Sequence, residues 1–488
     1  MSEVTRRNFI KTAGTGAGIA IAAGWSPTSY AANEKVRVGL IGAGGQGRVH
    51  LEHGLGLSED IEVVALADVR FDSLGRGRIA LGKGNEFNKH LYYDYRQMLE
   101  KEELDAVVVV TPYKTHYDIV MDCLDAGLHV FCEKTMAHEI DLCRNIVTKV
   151  HETGKVFQVG HQRRYNHEYN HALKEMINGR IGRVNYIEAQ WHRNADWRLP
   201  IPKKEQGFRF SDEAKAIYPD EDRLVNWRIY DQFSAGLMSE LATHHLDVVN
   251  WMMGTMPTRV IGTGGIDYWR DSRDTYDNVN LTYEYDLSRS KHGFIPIQGR
   301  TDDALGQSMM KINKPYTVRV NWSGSLMNRR KGASMMLSGD KGTFEMRERG
   351  GLGPKGCIWH DEGERWYLND DGTKITDEAE IYLRDSQGRS GEKELIVADS
   401  IPFENEMDAS QFDKHSLTIE MEMFAKHIKH GGKPRTNEMC GLMAAIDDIA
   451  GLEAMKTGQT VEIKPEWYEF DFETPNPFMY EGNDETPA

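Results

Sequence analysis

Between residues 35 and 133 the chain alternates short apolar runs with amphipathic stretches, a pattern that predicts strands separated by helices. VRVGLI reads as a first strand, IEVVALADV as a second, DAVVVVTP as a third and LHVFCEK as a fourth. Helices are expected over RVHLEHGLGL and HYDIVMDCLDAG. Strands that are apolar on both faces belong to a parallel sheet covered by helices. Further along, VNLTYEYD, YTVRVNWSGS and ASMMLSGDKGTFEMRE alternate polar with apolar positions, which fits an antiparallel sheet with one solvated face. Two domains are expected, the first α/β and the second α+β.

Two stretches break the pattern. Residues 192–235 show little periodicity and carry Trp197, Tyr218, Trp227 and Tyr230 among Asp, Asn and Arg. Aromatic faces beside polar tips suit a sugar, because a ring stacks on C–H groups while the tips bond hydroxyls. A lid held by its own aromatic contacts or by a neighbouring subunit fits the same composition. A second insertion is expected over LSRSKHGFIPIQGRTDDALGQSMMKINK, and residues 476–488 are expected to form a mobile tail.

Composition narrows the partners. A chain of 488 residues suggests two domains, and its net charge of −16 makes nucleic acid and anionic membranes poor partners. The first 31 residues stand apart from the rest. Thr5-Arg6-Arg7-Asn8-Phe9-Ile10-Lys11 precedes the weakly apolar run TAGTGAGIAIAAGW and small residues around Ala31. This order resembles a twin-arginine signal peptide and implies an exported, periplasmic protein whose partners include the twin-arginine machinery. That route carries folded proteins, so a cofactor bound in the cytoplasm can travel inside its protein. The five cysteines match no zinc spacing, and Cys123 and Cys143 read as small buried hydrophobes.

The first strand ends in Gly42-Ala43-Gly44-Gly45-Gln46-Gly47 and a helix opens there, the context in which G-x-G-x-x-G binds a dinucleotide. Gly42 makes the tight turn, Gly44 admits the pyrophosphate and Gly47 lets helix and strand pack closely. Asp68 ends the second strand about 20 residues further on, where a carboxylate accepts from ribose hydroxyls. That favours NAD, while Arg70 leaves NADP open. Thr111 and His116 flank the crevice beyond the third strand, and Glu133 and Lys134 leave the fourth at the same edge. A charged pair there is solvated by a ligand, or else forms a surface salt bridge in a turn.

At this point the sequence resembles the glucose–fructose oxidoreductase/inositol dehydrogenase (Gfo/Idh/MocA) family. GLIGAGGQGRVH, ALADV, VVVVTPYKTH, AGLHVFCEKTMAH, VGHQRRYN and GLMSELATHHLDVVNWMMG carry the resemblance, in the family's order. It implies an α/β Rossmann domain over residues 35–158 and an α+β domain with an open, mainly antiparallel sheet over 159–475. The helical region 418–457 is expected to pack back on the first domain. The family's E-K-P reads Glu133-Lys134-Thr135 here, and Lys134 inherits the role of bonding the reacting hydroxyl. A second family pattern falls on Gly236, Glu240, Ala242, His244 and Asp247. Spaced as on one helix face, Glu240 is expected to orient His244, the general base. His244 and His245 point about 100° apart on a helix and serve one metal ion poorly, so no metal is expected. Gln162 is placed beside the nicotinamide, and Arg163, Tyr165, Trp197, Trp227, His245 and Asp247 near the substrate.

The resemblance implies an exported NAD(P)-dependent oxidoreductase acting on a sugar, polyol or glycoside hydroxyl, with tightly bound cofactor and a homo-oligomeric assembly. A redox-neutral NAD-dependent glycoside-cleaving enzyme and a non-catalytic sugar-binding protein are the alternatives. The lysine at position 134 favours plain dehydrogenation.

Overall fold

The computed structural model describes residues 34–203, 208–292, 316–348, 354–360, 366–367, 394–395, 400–402 and 415–480. The signal-like segment and most of the second insertion lie outside the described residues.

Six parallel strands form the first sheet: β1 (Val36–Ile41), β2 (Ile61–Ala67), β3 (Leu91–Tyr92), β4 (Ala106–Val109), β5 (His129–Cys132) and β6 (Phe157–Val159). Their order is β3-β2-β1-β4-β5-β6. The central strands β1 and β4 are buried almost throughout, as continuous Val, Leu and Ile runs require. Helices α1 (Gly45–His53), α2 (Phe71–Ala80), α3 (Tyr95–Lys101), α4 (His116–Asp125) and α5 (Ile140–Thr153) alternate with the strands. Strand order reverses between β1 and β4, so the switch-point crevice lies beyond their carboxyl ends.

The chain then forms α6 (His167–Ile177), β7 (Val184–His192), α7 (Asp212–Ile217), α8 (Glu221–Val225) and α9 (Thr243–Met253). Strands β8 (Arg259–Gly265), β9 (Asn278–Asp286), β10 (Thr317–Ser325), β11 (Ala333–Gly339), β12 (Gly342–Glu348) and β13 (Pro354–His360) follow. A separate two-stranded ribbon pairs β14 (Trp366–Tyr367) with β15 (Glu394–Leu395). Finally come β16 (Ser400–Pro402), α10 (Ser416–His430), α11 (Glu438–Thr457) and β17 (Val461–Glu462). The second sheet has nine strands in the order β16-β13-β12-β11-β7-β10-β9-β8-β17. The expected α/β plus α+β architecture is what the chain adopts. The second sheet is antiparallel except where β7 runs parallel to β10.

The helices behind this sheet lock the two domains together. Every residue of α9 is buried, the mark of a helix in a core rather than on a surface. Met421 and Phe424 of α10 share a hydrophobic cluster with Val36, Leu40 and Phe131 of the first sheet. Gln158 Nε2 donates to the Glu420 carbonyl at 2.9 Å. Of the expected mobile tail, residues 476–480 are packed instead, and 481–488 lie outside the described residues. Trp251 Nε1 donates to the Met479 carbonyl at 2.7 Å, Asn437 Nδ2 to that of Asn476 at 3.0 Å, and Arg164 Nη1 to that of Pro477. Backbone carbonyls, which no side-chain pattern reveals, hold it in place.

Candidate active site at the domain junction

The turn after β1 fits a dinucleotide. Gly42 has φ +99°, and a Cβ there would lie 2.4 Å from the Val110 carbonyl oxygen. A Cβ on Gly47 would lie 2.0 Å from the Gly42 oxygen, so only glycine lets α1 pack this close to the strand. Gly44 and Gly45 have nothing within 4 Å on that side, which leaves an approach for pyrophosphate to the helix N-terminus. The first turn of α1 carries no acidic side chain to repel it.

Asp68 accepts from the Ala43 N–H through Oδ2 at 2.8 Å and from the Arg70 N–H through Oδ1 at 2.7 Å. Each oxygen keeps a lone pair for a ribose hydroxyl. Burial pushes the carboxyl up to about 6, against those hydrogen bonds and the nearby Arg70 charge. Arg70 is engaged within the protein. Asp72 holds it in a fork, Nε to Oδ1 at 3.2 Å and Nη2 to Oδ2 at 2.8 Å.

At the edge of β5, Glu133 accepts from His50 Nε2 at 2.8 Å and Gln46 Nε2 at 3.1 Å, and from the Lys134 N–H at 3.1 Å. Burial would raise its pKa, but these bonds and the Lys134 charge outweigh it and hold the carboxylate ionised. His50 was not singled out in the sequence, although it sits one helical turn from Gln46 and shares its face. Thr111 Oγ1 accepts from Thr115 Oγ1 at 2.8 Å. His116 is fully buried, its ring spanning the Thr135 and Thr111 carbonyls at 2.9 and 2.8 Å. It ties the two strand-end loops together and has no ring nitrogen left for a ligand.

Lys134 reaches into the second domain. Its Nζ donates to the Ser239 carbonyl at 2.9 Å and the Glu240 carbonyl at 3.3 Å. Those carbonyls belong to a π-helical turn, Met238–Ala242, that runs directly into α9 and its His244. This turn corrects the expected Glu240–His244 pair. Its wider winding takes position 240 out of register with 244. Glu240 Oε2 instead accepts from Arg228 Nε at 2.7 Å. Among the described residues no group bonds His244 Nδ1. Burial, reinforced by the positive Arg163 and Lys134, lowers the His244 pKa well below the usual imidazole range, so the ring is neutral at pH 7. Trp191 lines the same place, with its ring centroid 6.0 Å from that of His244 and 4.9 Å from the Arg163 guanidinium.

Of the other predicted substrate residues, Asp247, His245 and Tyr165 are engaged by the scaffold. Asp247 is buried in a bidentate pair with Arg164, at 2.9 and 2.7 Å. His245 Nδ1 accepts from Trp322 Nε1 at 3.3 Å, and the residue is fully buried. Tyr165 is also buried, its hydroxyl 3.3 Å from Thr436 Oγ1. Gln162 is half-buried. Trp197 and Trp227 pack against a satellite cluster within the 192–235 insertion, and Trp227 carries the Arg228 guanidinium over its ring at 4.3 Å. Asp448 of α11 is a further residue that sequence reasoning missed. Its Oδ2 accepts from Thr135 Oγ1 at 2.8 Å, directly beside Lys134, and burial pushes its carboxyl up to about 8.

Family models match both halves of this arrangement. Residues 36–161 match the oxidoreductase family's NAD-binding Rossmann fold, and residues 174–463 match its C-terminal alpha/beta domain. The chain belongs to the Gfo/Idh/MocA oxidoreductase family. It is similar to the inositol 2-dehydrogenase of Rubrobacter xylanophilus, 32% identical over 165 residues that cover 34% of this chain and 46% of that protein. It is also similar to a glycosyl hydrolase family 109 protein of Shewanella baltica, 26% identical over 222 residues covering 41% and 48%. The chain thus spans about half the length of these curated relatives. In fold it resembles the aldose-aldose oxidoreductase from Caulobacter crescentus complexed with glycerol, with a TM-score of 0.61 at 15% identity, covering 88% of this chain and 100% of that one.

Proposed function

We propose that this chain is an exported, NAD-dependent oxidoreductase that removes hydride from a hydroxyl-bearing carbon of a polyol, sugar or glycoside and keeps its nucleotide bound. The observation that carries the reading is the reach of Lys134, from the nucleotide-binding sheet, to the turn that presents a neutral His244. When bound, NAD supplies the hydride acceptor. Lys134 donates to the reacting hydroxyl and stabilises negative charge on its oxygen. The His244 imidazole takes the hydroxyl proton, and with Nδ1 unbonded its tautomer is set by the substrate. NAD is preferred to NADP because Asp68 would repel a 2′-phosphate, while Arg70 is engaged by Asp72.

The similarity to the inositol dehydrogenase supports a cyclic polyol or sugar. The similarity to a glycosyl hydrolase family 109 protein supports a second reading, in which a transient ketone acidifies the adjacent C–H for elimination of an aglycone. The export proposal rests on the arginine pair at positions 6 and 7, and a homo-oligomer is part of the same proposal.

The test is extraction of nucleotide from purified protein, read by absorbance near ~340 nm and mass spectrometry. Incubation with polyols and glycosides follows. Ketone with NADH supports dehydrogenation, and released aglycone without net NADH supports the second reading. Protein that neither yields nor binds NAD(H) sinks both. Replacing Arg6 and Arg7 by Lys is expected to leave the precursor in the cytoplasm with its nucleotide loaded, and unimpaired export of that variant removes the twin-arginine proposal.

A further inference from the structure

The insertion at 192–235 reaches the opposite end of the nucleotide site from the chemistry. Phe208, Ala214, Tyr218, Leu224, Val225, Ile229, Tyr230 and Phe233 form a small hydrophobic core of their own, with Val69 of the first domain packed against it. Val69 lies between Asp68 and Arg70, so this core sits on the segment that meets the adenosine ribose. Three contacts fasten it there. Ser211 Oγ donates to the Val69 carbonyl at 3.1 Å, the Arg70 guanidinium lies 5.6 Å from the Phe208 ring centroid, and Arg209 lies 5.3 Å from that of Phe71.

Each side of the contact is braced. Asp72 pins Arg70 from behind, as described above. At the base of the insertion Arg198 bonds Asp222 at 3.0 and 3.2 Å and Asp271 at 3.1 Å. Asn226 holds both backbone groups of Leu199, accepting at 2.6 Å and donating at 3.1 Å. The segment is therefore a built piece of the second domain seated on the first.

We propose that the adenosine half of the dinucleotide is held by both domains, with Phe208–Phe233 forming a strap over the Asp68–Phe71 segment that makes nucleotide release slow. The proposal rests on the NAD reading above and assigns its retention to named residues. To leave sideways, adenosine must part Phe208 and Ser211 from Arg70 and Val69, which exposes the apolar surface they bury.

The experiment uses the full chain loaded with NADH and chased with excess NAD, release being followed by nicotinamide fluorescence. Phe208→Ala is expected to release NADH about tenfold faster or more. Hydrogen exchange on the unaltered chain provides a second measurement that needs no variant. NADH is expected to slow exchange in Ser211–Phe233 as well as in Gly42–Gly47. NADH that protects the glycine turn but leaves the insertion's exchange unchanged overturns the strap and spares the NAD reading. A parental release rate in folded Phe208→Ala does the same. Failure of the unaltered chain to bind NADH removes both.

Discussion

At the scale of single residues, the proposed reaction divides its chemistry between Lys134 and His244, and Glu240 is bonded to Arg228 instead. His244→Asn is expected to lower kcat by about 10²–10⁴, the usual worth of a general base, with NAD affinity unchanged by titration. Lys134→Met should also abolish NADH formation while the nucleotide stays bound. Because burial and neighbouring positive charge lower the His244 pKa, the base form persists well below pH 6.5. The acid limb of the kcat/KM profile is therefore expected below that value, and a limb above it would require a different base. Glu240→Gln separates two roles. A carboxylate that fixed the tautomer of His244 would be worth several powers of ten and would move the pH profile. A carboxylate that serves Arg228 should cost less than about tenfold and leave the acid limb in place. The sequence could not distinguish them, because i and i+4 share a face only if the turn between them is α-helical.

At the scale of elements, legibility follows how much of an element's cause is local. β1 and β4 were readable because a strand buried on both faces must be continuously apolar. The glycine turn was readable because its steric demands fall on fixed positions. Gly47→Ala tests that directly. The added methyl would meet the Gly42 carbonyl at 2.0 Å, so α1 must move away from β1 and its N–H groups leave the pyrophosphate. Dinucleotide affinity is expected to fall about 100-fold, read by NADH titration, while near-ultraviolet circular dichroism from the second domain is kept. Unchanged affinity would mean that this turn does not hold the phosphates. Elements whose causes are distant were not readable. The π-turn meets Lys134 of the other domain through its Ser239 and Glu240 carbonyls, a contact distant in sequence. Residues 476–480 are held by Trp251, Arg164 and Asn437 reaching for backbone oxygens. Within the insertion, α7 and α8 have good caps in Ser211 and Asp220 but are too short for periodicity to show.

Across the whole molecule two sets of buried groups pull stability in opposite directions with pH. Burial lowers the pKa of His129, His161, His244 and His245, with His129 and His161 brought to about 4. The unfolded chain protonates these rings near 6.5, so stability is lost as pH falls below that value. Burial raises the pKa of Glu420, Glu438, Asp447 and Asp448, the last to about 8. The folded chain keeps those protons after the unfolded chain has released them, so stability declines as pH rises from about 4 through 8. Between about pH 4 and 6.5 the two sets oppose each other, and above 6.5 only the carboxyls act. Thermal stability is therefore expected to decline from about pH 6.5 toward pH 8. Asp448→Asn isolates one share. Asparagine is neutral in both states and its amide oxygen can still accept from Thr135, so the variant and parent should match at about pH 4. From there the variant should gain stability over the parent steadily as pH rises toward about 8. Urea unfolding at about pH 4.5, 6 and 8 measures the difference. A difference that stays flat across that range would mean that Asp448 is ionised in the folded chain. Lys134 would then have a buried anion beside it, and its charge would no longer be directed at the substrate hydroxyl alone.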